Sequence, residues 1–242
     1  MTAEPVEPAR GESVEVRIAR SDPAARASFP VPRHEAFIVL DLIAAAARVD
    51  PTLAFRYSCR SGFCGTCTVL LDGRPVLSCQ TPVPASSRVD VAPLGGFPVV
   101  RDLVVDPTPF GKRWEAIAPA IQTSAVQVDD EALPRPLDPA VGAAGSPAAD
   151  SLDCISCGAC FAACDLASLD SAFLGPAALT RAMVTISDPR DASREARLAV
   201  VGGQDGVEGC HGSGACSIVC PRDLDPQRAI RRLRRWRVAG AP

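Results

Sequence analysis

Eleven cysteines in 242 residues fall into three spaced groups, and no other feature of the chain constrains its fold as strongly. An odd number of thiols cannot all pair as disulfides. The start, Met1-Thr-Ala-Glu-Pro-Val-Glu-Pro, is polar and acidic, without the basic start and apolar middle of a secretion signal. No disulfide framework is expected; the cysteines read as metal ligands.

Composition narrows the setting. The formal charge of −3 argues against a nucleic-acid partner, which would call for a clearly basic chain. Charged residues interrupt every stretch before it reaches the ~20 apolar residues that a membrane-spanning helix needs. Of 25 basic residues only Lys112 is a lysine, so any single arginine carries little information.

The apolar pattern changes character along the chain. Residues 13–20 alternate, placing Val14, Val16 and Ile18 on one face of a strand. From Val39 to Val49, Leu40, Ile43 and Ala47 recur at helical spacing until Asp50-Pro51. Thr68–Leu71 and Arg74–Leu77 flank Asp72-Gly73 as a hairpin, and Arg88–Ala92 reads as a further strand. About 100 residues thus form a small sheet with one helix across it. Residues 129–150, with four prolines and no apolar period, read as a linker or extended arm. Beyond it, helices are expected over Pro176–Ile186, Ser193–Val201 and Pro226–Arg237, the last with Ala229, Ile230, Leu233 and Trp236 on one face.

The first thiol group is Cys59-x4-Cys64-x2-Cys67-x11-Cys79, the plant-type [2Fe–2S] spacing. Gly62 and Gly65 permit the positive φ and close backbone approach that a cluster loop needs. Structural zinc favours paired Cys-x2-Cys arms, which three crowded cysteines fit poorly. The second group, Cys154-x2-Cys157-x2-Cys160-x3-Cys164, matches the bacterial ferredoxin run, although Asp165 stands where that run has Pro. The third, Cys210-His-Gly-Ser-Gly-Ala-Cys216-Ser-Ile-Val-Cys220-Pro221, keeps that template except for Ser213 at its second position. Crossing the two runs as ferredoxins do assigns Cys154, Cys157, Cys160 and Cys220 to a [4Fe–4S] cluster. Cys164, Cys210 and Cys216 remain for a three-thiolate [3Fe–4S] site. Every cysteine is then used. A serine hydroxyl is a weak, hard ligand beside thiolates, so Ser213 is not counted among them.

With these motifs in place, the chain resembles the iron–sulfur subunits of succinate dehydrogenase and fumarate reductase, respiratory complex II. The resemblance runs from about Val14 to Arg234. It is carried by Tyr57-Ser-Cys-Arg-Ser-Gly-Phe-Cys-Gly-Thr-Cys, Gly73-Arg-Pro-Val-Leu-Ser-Cys-Gln, Arg101-Asp-Leu-Val-Val-Asp, Phe173-Leu-Gly-Pro-Ala-Ala-Leu and the segment from Cys210 to Pro221. It implies an α+β chain: a β-grasp plant-type [2Fe–2S] ferredoxin domain, then an all-α ferredoxin domain. It also implies a partner subunit carrying FAD that handles the dicarboxylate, membrane-anchor subunits with quinone, and a peripheral place on the cytoplasmic face of the cell membrane. The order of 2Fe, 4Fe and 3Fe clusters agrees with the spacing. No residue of this chain is expected to act as acid or base on succinate.

The expected division is a flexible 1–12, a [2Fe–2S] domain over 13–106, a connecting segment and linker over 107–150, and the helical domain over 151–242. Asp165-Leu-Ala-Ser-Leu follows Cys164 where ubiquinone-using members carry Pro, Ser and tryptophans, which leaves the quinone open. His211 is a residue that hydrogen-bonds sulfide or backbone, or a quinone-side contact. His34 is expected at the surface, Ser58 and Arg60 as braces of the first loop, and Trp114 as a packing anchor between domains. Arg222, Arg228, Arg231, Arg232, Arg234, Arg235 and Arg237 form a solvated face or a docking surface for anionic lipid or another subunit. Two other functions fit the same cysteines: an electron conduit for a different flavoprotein, and a stand-alone redox sensor, for which three graded clusters are excessive.

Overall fold

In the computed structural model, which describes residues 13–21, 26–122 and 148–239, alternation over β1 (Ser13–Ala19) buries Val14, Val16 and Ile18 as the sequence requires. β1 pairs antiparallel with β2 (Arg26–Pro32) and parallel with β5 (Arg88–Ala92). β5 continues antiparallel to β3 (Thr68–Leu71), which forms the outer hairpin with β4 (Arg74–Leu77). The sheet order is β2-β1-β5-β3-β4. Helix α1 (Val39–Val49) lays Val39, Leu42, Ile43 and Ala46 on a sheet face built from Val14, Val16, Ile18, Val69, Leu71, Val89 and Val91. One helix grasped by a mixed sheet is the expected β-grasp arrangement. A two-stranded ribbon of β6 (Val99–Arg101) and β7 (Val104–Val105) follows.

β2 has no counterpart in the sequence reading because Pro30 and Pro32 mask it. A proline costs a ladder hydrogen bond only where its nitrogen faces a neighbour, so an edge strand such as β2 tolerates it. The Asp72-Gly73 turn has φ of 48° and 80°, the double-positive turn whose twist suits a two-residue hairpin.

The chain divides into two compact units between Asp106 and Pro107. In the second, α2 (Thr108–Ala116) starts with proline in its first turn, a residue that helix starts accept and that hides the helical pattern. Short turns α3 (Ala149–Leu152), α4 (Ala159–Ala162) and α5 (Asp165–Leu169) lead to α6 (Gly175–Ser187), which is buried along almost its whole length. α7 (Arg194–Val201), a short α8 (Ala215–Ile218) and α9 (Pro226–Ala239) complete the unit. Leu179, Met183 and Ile186 of α6 and Ile230 and Leu233 of α9 are among its most buried side chains, while Trp236 is half-buried. The three helices expected from periodicity are therefore present, with ends one or two residues away. Trp114 lies on α2, half-buried, its ring 6.1 Å from Phe110. His34 is exposed. The expected flexible N-terminus and most of the 129–150 linker lie outside the described residues. Among those described, no helix is long and apolar enough to cross a membrane.

Asp102 is the polar keystone of the first unit. Its side chain, 2% exposed, accepts hydrogen bonds from the Ala54 amide at 2.8 Å and from the Ser21 amide and hydroxyl at 3.0 and 3.1 Å, with Arg20 at 3.3 Å. Desolvation works against its charge, but the Ala54 and Ser21 donors and Arg20 prevail and hold the carboxyl below its ordinary range. The anion thereby anchors the segment that leads into the first cysteine loop. Asp102→Asn should lower stability by about 2–3 kcal/mol at pH 7. A depressed carboxyl contributes fully above its unfolded value and loses that contribution only as pH falls through the folded one. The deficit, read from thermal unfolding, should therefore stay constant from pH 7 to pH 5; a deficit that shrinks in that window contradicts the assignment.

Candidate functional site

The first cysteine loop is wrapped around its own sulfur. Cys59 Sγ accepts the amides of Ser61, Phe63 and Cys64 at 3.4, 3.3 and 3.3 Å. This convergence needs left-handed backbone at Arg60, Gly62 and Gly65, with φ of 56°, 76° and 71°. A Cβ on Gly62 would also meet Gln80 Cγ at 3.0 Å, so a side chain there would displace Gln80 as well as strain the backbone. Arg60 braces the loop as expected: it pairs with Asp41 of α1 at 3.3 Å and lies 5.7 Å over the Tyr57 ring. Asp41 in turn accepts the Phe37 and Ile38 amides at the start of that helix.

Cys67 and Cys79 come from the hairpin. β3 begins just after Cys67, β4 ends two residues before Cys79, and Ser78 binds the Cys67 carbonyl through its amide at 3.2 Å and its hydroxyl at 2.8 Å. The first amides of α1, which have no partner within the helix, donate to the Ser78 and Thr81 carbonyls, Leu40 to Ser78 and Val39 to Thr81, both at 2.9 Å. The helix start thus clamps the segment carrying Cys79. The thiols fall into two neighbouring pairs, Cys59 with Cys64 and Cys67 with Cys79. Partial desolvation opposes ionisation of Cys64, but the Thr66 hydroxyl at 3.1 Å and nearby amides bring it down to about 6. Burial pushes the Cys67 thiol up.

In the second unit the seven remaining thiols separate into two recesses. Cys154, Cys157, Cys160 and Cys220 line one, together with Gly158, Ala177, Thr180 and Pro221. Cys164, Cys210 and Cys216 line the other, with His211, Ser213 and Gln227. Left-handed Ser156 and Gly158, φ 54° and 78°, shape the turn through the first run; Gly212 and Gly214, φ 76° and 79°, do the same for the last. Burial raises Cys160 well above the ordinary thiol range, and its neighbours Cys157, Cys154, Cys216 and Cys220 add to it. Cys157 and Cys216 are each pushed up to about 11, chiefly by burial. Among the described residues no group of three or more His, Cys, Asp or Glu side chains is gathered for a single metal ion. The sulfurs ring spaces instead, and crowded, buried thiols of this kind become thiolates only opposite several positive charges. Clusters of ferric and ferrous iron supply that charge, and the donor set fits them.

Sequence reasoning missed how α9 supports the third group. Gln227 sits against both Gly212 and Gly214 and donates to the Gly212 carbonyl. Arg234 donates to the carbonyls of Val207 and, at 2.9 Å, Cys210. Its neighbours are engaged as well: Arg228 with Asp225, Arg237 with Glu208 and the Gly202 carbonyl, and Arg222 with Asp153. The basic helix therefore turns part of its charge inward, while Arg231 and Arg235 are exposed. Position on the helix was the available signal, since Arg234 directly follows the buried Leu233. His211 and Ser213 are exposed at the rim of the recess.

Comparison with known proteins agrees with this geometry. Residues 15–112 match the 2Fe-2S iron-sulfur cluster binding domain, and residues 150–224 the 4Fe-4S dicluster domain. The fumarate reductase iron-sulfur subunit of Haemophilus influenzae is 35% identical over 190 residues, 76% of this chain and 74% of that protein. The mitochondrial succinate dehydrogenase [ubiquinone] iron-sulfur subunit 2 of Oryza sativa is 36% identical over 211 residues, 85% of this chain and 66% of that one. A chain of the Mycobacterium smegmatis Sdh1 complex in the apo form shares the fold, with a TM-score of 0.79 at 24% identity, covering 94% of this chain and 96% of that one. Motifs, fold and relatives converge: the chain belongs to the family of iron–sulfur subunits of fumarate reductase and succinate dehydrogenase.

Proposed function

We propose that this chain is the electron relay of a succinate:quinone oxidoreductase, a peripheral subunit at the cytoplasmic face of the cell membrane, between an FAD-carrying dehydrogenase subunit and quinone at membrane-anchor subunits. The observation that supports it most is the division of the second unit's thiols into a recess of four and a recess of three. Cys59, Cys64, Cys67 and Cys79 would hold the [2Fe–2S] cluster, and their two pairs suit two irons with two thiolates each. Cys154, Cys157, Cys160 and Cys220 would hold [4Fe–4S], and Cys164, Cys210 and Cys216 would hold [3Fe–4S]. When bound, such clusters carry electrons one at a time, which splits the pair delivered by a flavin and separates a water-soluble dicarboxylate site from a lipid-soluble acceptor.

The protein's own contribution is electrostatic. Amides converging on Cys59 stabilise negative charge at the first site. At the second site desolvation and the neighbouring thiols raise Cys160 most, so that is where a bound cluster's positive charge would be needed most. The third opens beside the exposed His211, which would serve as a hydrogen-bond donor to sulfide or backbone or as a quinone-side contact.

Two experiments test this reading. Ser213 lines the three-thiol recess at the template position that carries Cys in the other run, so Ser213→Cys should convert the three-iron site to a four-iron one. The oxidised three-iron signal in electron paramagnetic resonance should disappear from that variant; its unchanged persistence would refute the crossed register. Affinity purification from native membranes should bring down a flavoprotein and anchor subunits that reduce dye and quinone with succinate. An assembly with intact clusters that neither oxidises succinate nor reduces fumarate refutes the assigned donor.

A further inference from the structure

Among the described residues of the second unit two arginines are buried, and only one of them is ion-paired. Arg197 is paired with Asp191 at 2.7 Å, both side chains being almost fully enclosed. Arg113 of α2, 8% exposed, has four carbonyl partners instead: Phe173 at 2.7 Å, Asp170 at 3.0 Å, Ala167 at 3.2 Å and Pro109 at 3.4 Å. Its guanidinium carbon lies 4.6 Å from the centre of the Phe161 ring. Among the described residues no carboxylate forms an ion pair with it. An enclosed cation held by carbonyl dipoles and a π face, with no ion-paired carboxylate, is costly unless negative charge lies nearby. Desolvation lowers its pKa, and the charges that oppose this are Asp170 and Cys164.

Three of these carbonyls, those of Ala167, Asp170 and Phe173, belong to the segment between Cys164 and α6. Cys164 stands at the start of α5, and Ala167, one turn along, offers its carbonyl to Arg113. Asp170 and Phe173 bound the remainder of that segment before α6. The guanidinium is therefore tied through the α5 turn to the Cys164 position, and its charge stays in place at every accessible pH.

We propose that Arg113 is the positioning residue and fixed counter-charge of the Cys164 site, favouring the more negative, reduced state of the group held there. The inference rests on the reading that Cys164, Cys210 and Cys216 hold a cluster. An electron that reaches this site from the preceding carrier adds one negative charge; no bond forms or breaks at Arg113, and no proton leaves it.

The test is a reductive titration of the anaerobically purified holoprotein, followed by electron paramagnetic resonance, on wild type, Arg113→Gln and Arg113→Lys. In Arg113→Gln the reduced-to-oxidised ratio of the third cluster, at a fixed ambient potential, should fall about tenfold, a midpoint lower by ~59 mV for one electron. The [2Fe–2S] midpoint should not move. Arg113→Lys keeps the charge without the planar fork, so it should lose thermal stability while holding most of the wild-type midpoint. A wild-type midpoint in Arg113→Gln, or an equal fall in Arg113→Lys, overturns the proposal. Should Arg113→Gln not accumulate, Arg113→Lys decides alone, a fallen midpoint counting against it. A wild-type protein with no third signal would instead refute the cluster reading on which the inference stands, a result distinct from an unmoved midpoint.

Discussion

Burial opposes ionisation of the seven thiols in one small helical unit, and their mutual repulsion adds to the cost. The raised Cys157, Cys160 and Cys216 record that conflict within the protein itself. Disulfides would relieve it only by pairing an odd number, and protonation would leave weak ligands. Polynuclear iron resolves it by placing several positive charges and bridging sulfides among the thiolates, and the surrounding structure is arranged to hold the sulfurs at the walls of recesses for that purpose. Short turns with left-handed residues at Ser156, Gly158, Gly212 and Gly214 aim the sulfurs, and two long helices, α6 and α9, supply the rigid walls.

The first unit solves a smaller version of the problem with backbone. Three amides on Cys59, a helix start that clamps the Ser78–Thr81 segment, and a hairpin whose register fixes Cys79 leave little freedom at any ligand. Asp102 and Asp41 extend that rigidity outward: one ties the segment before the loop to β1, and the other ties the loop to α1 through Arg60. Small differences in such packing shift a cluster's potential, because hydrogen bonds to sulfur, burial and nearby charge are the protein's means of setting it.

Much of this was legible beforehand, for physical reasons. Val14, Val16 and Ile18 alternate because one face of β1 is wet, and α1 announces itself through a one-sided apolar stripe. The grouping of the thiols was readable because the spacing that iron–sulfur clusters demand in sequence reappears as recesses of four and three sulfurs. The crossed assignment, in which Cys220 joins the earlier run and Cys164 the later one, needed a template as well as a count. Other features left no local trace. β2 is hidden by prolines that only an edge position permits, and α2 by the proline in its first turn. Arg113, Arg197 and Arg234 resemble any other arginine in a chain with 24 of them and a single lysine. Their roles depend on carbonyls and carboxylates that the fold brings within reach, in Arg113's case from 54 to 60 residues away.

The account stands on a stoichiometry of metal. Iron and acid-labile sulfide should be determined on anaerobically isolated protein, with zinc measured in the same samples. The partition of thiols requires about nine iron atoms per polypeptide, slightly more sulfide than iron, and no zinc. Zinc bound at the cysteines, or iron far short of nine, would contradict it.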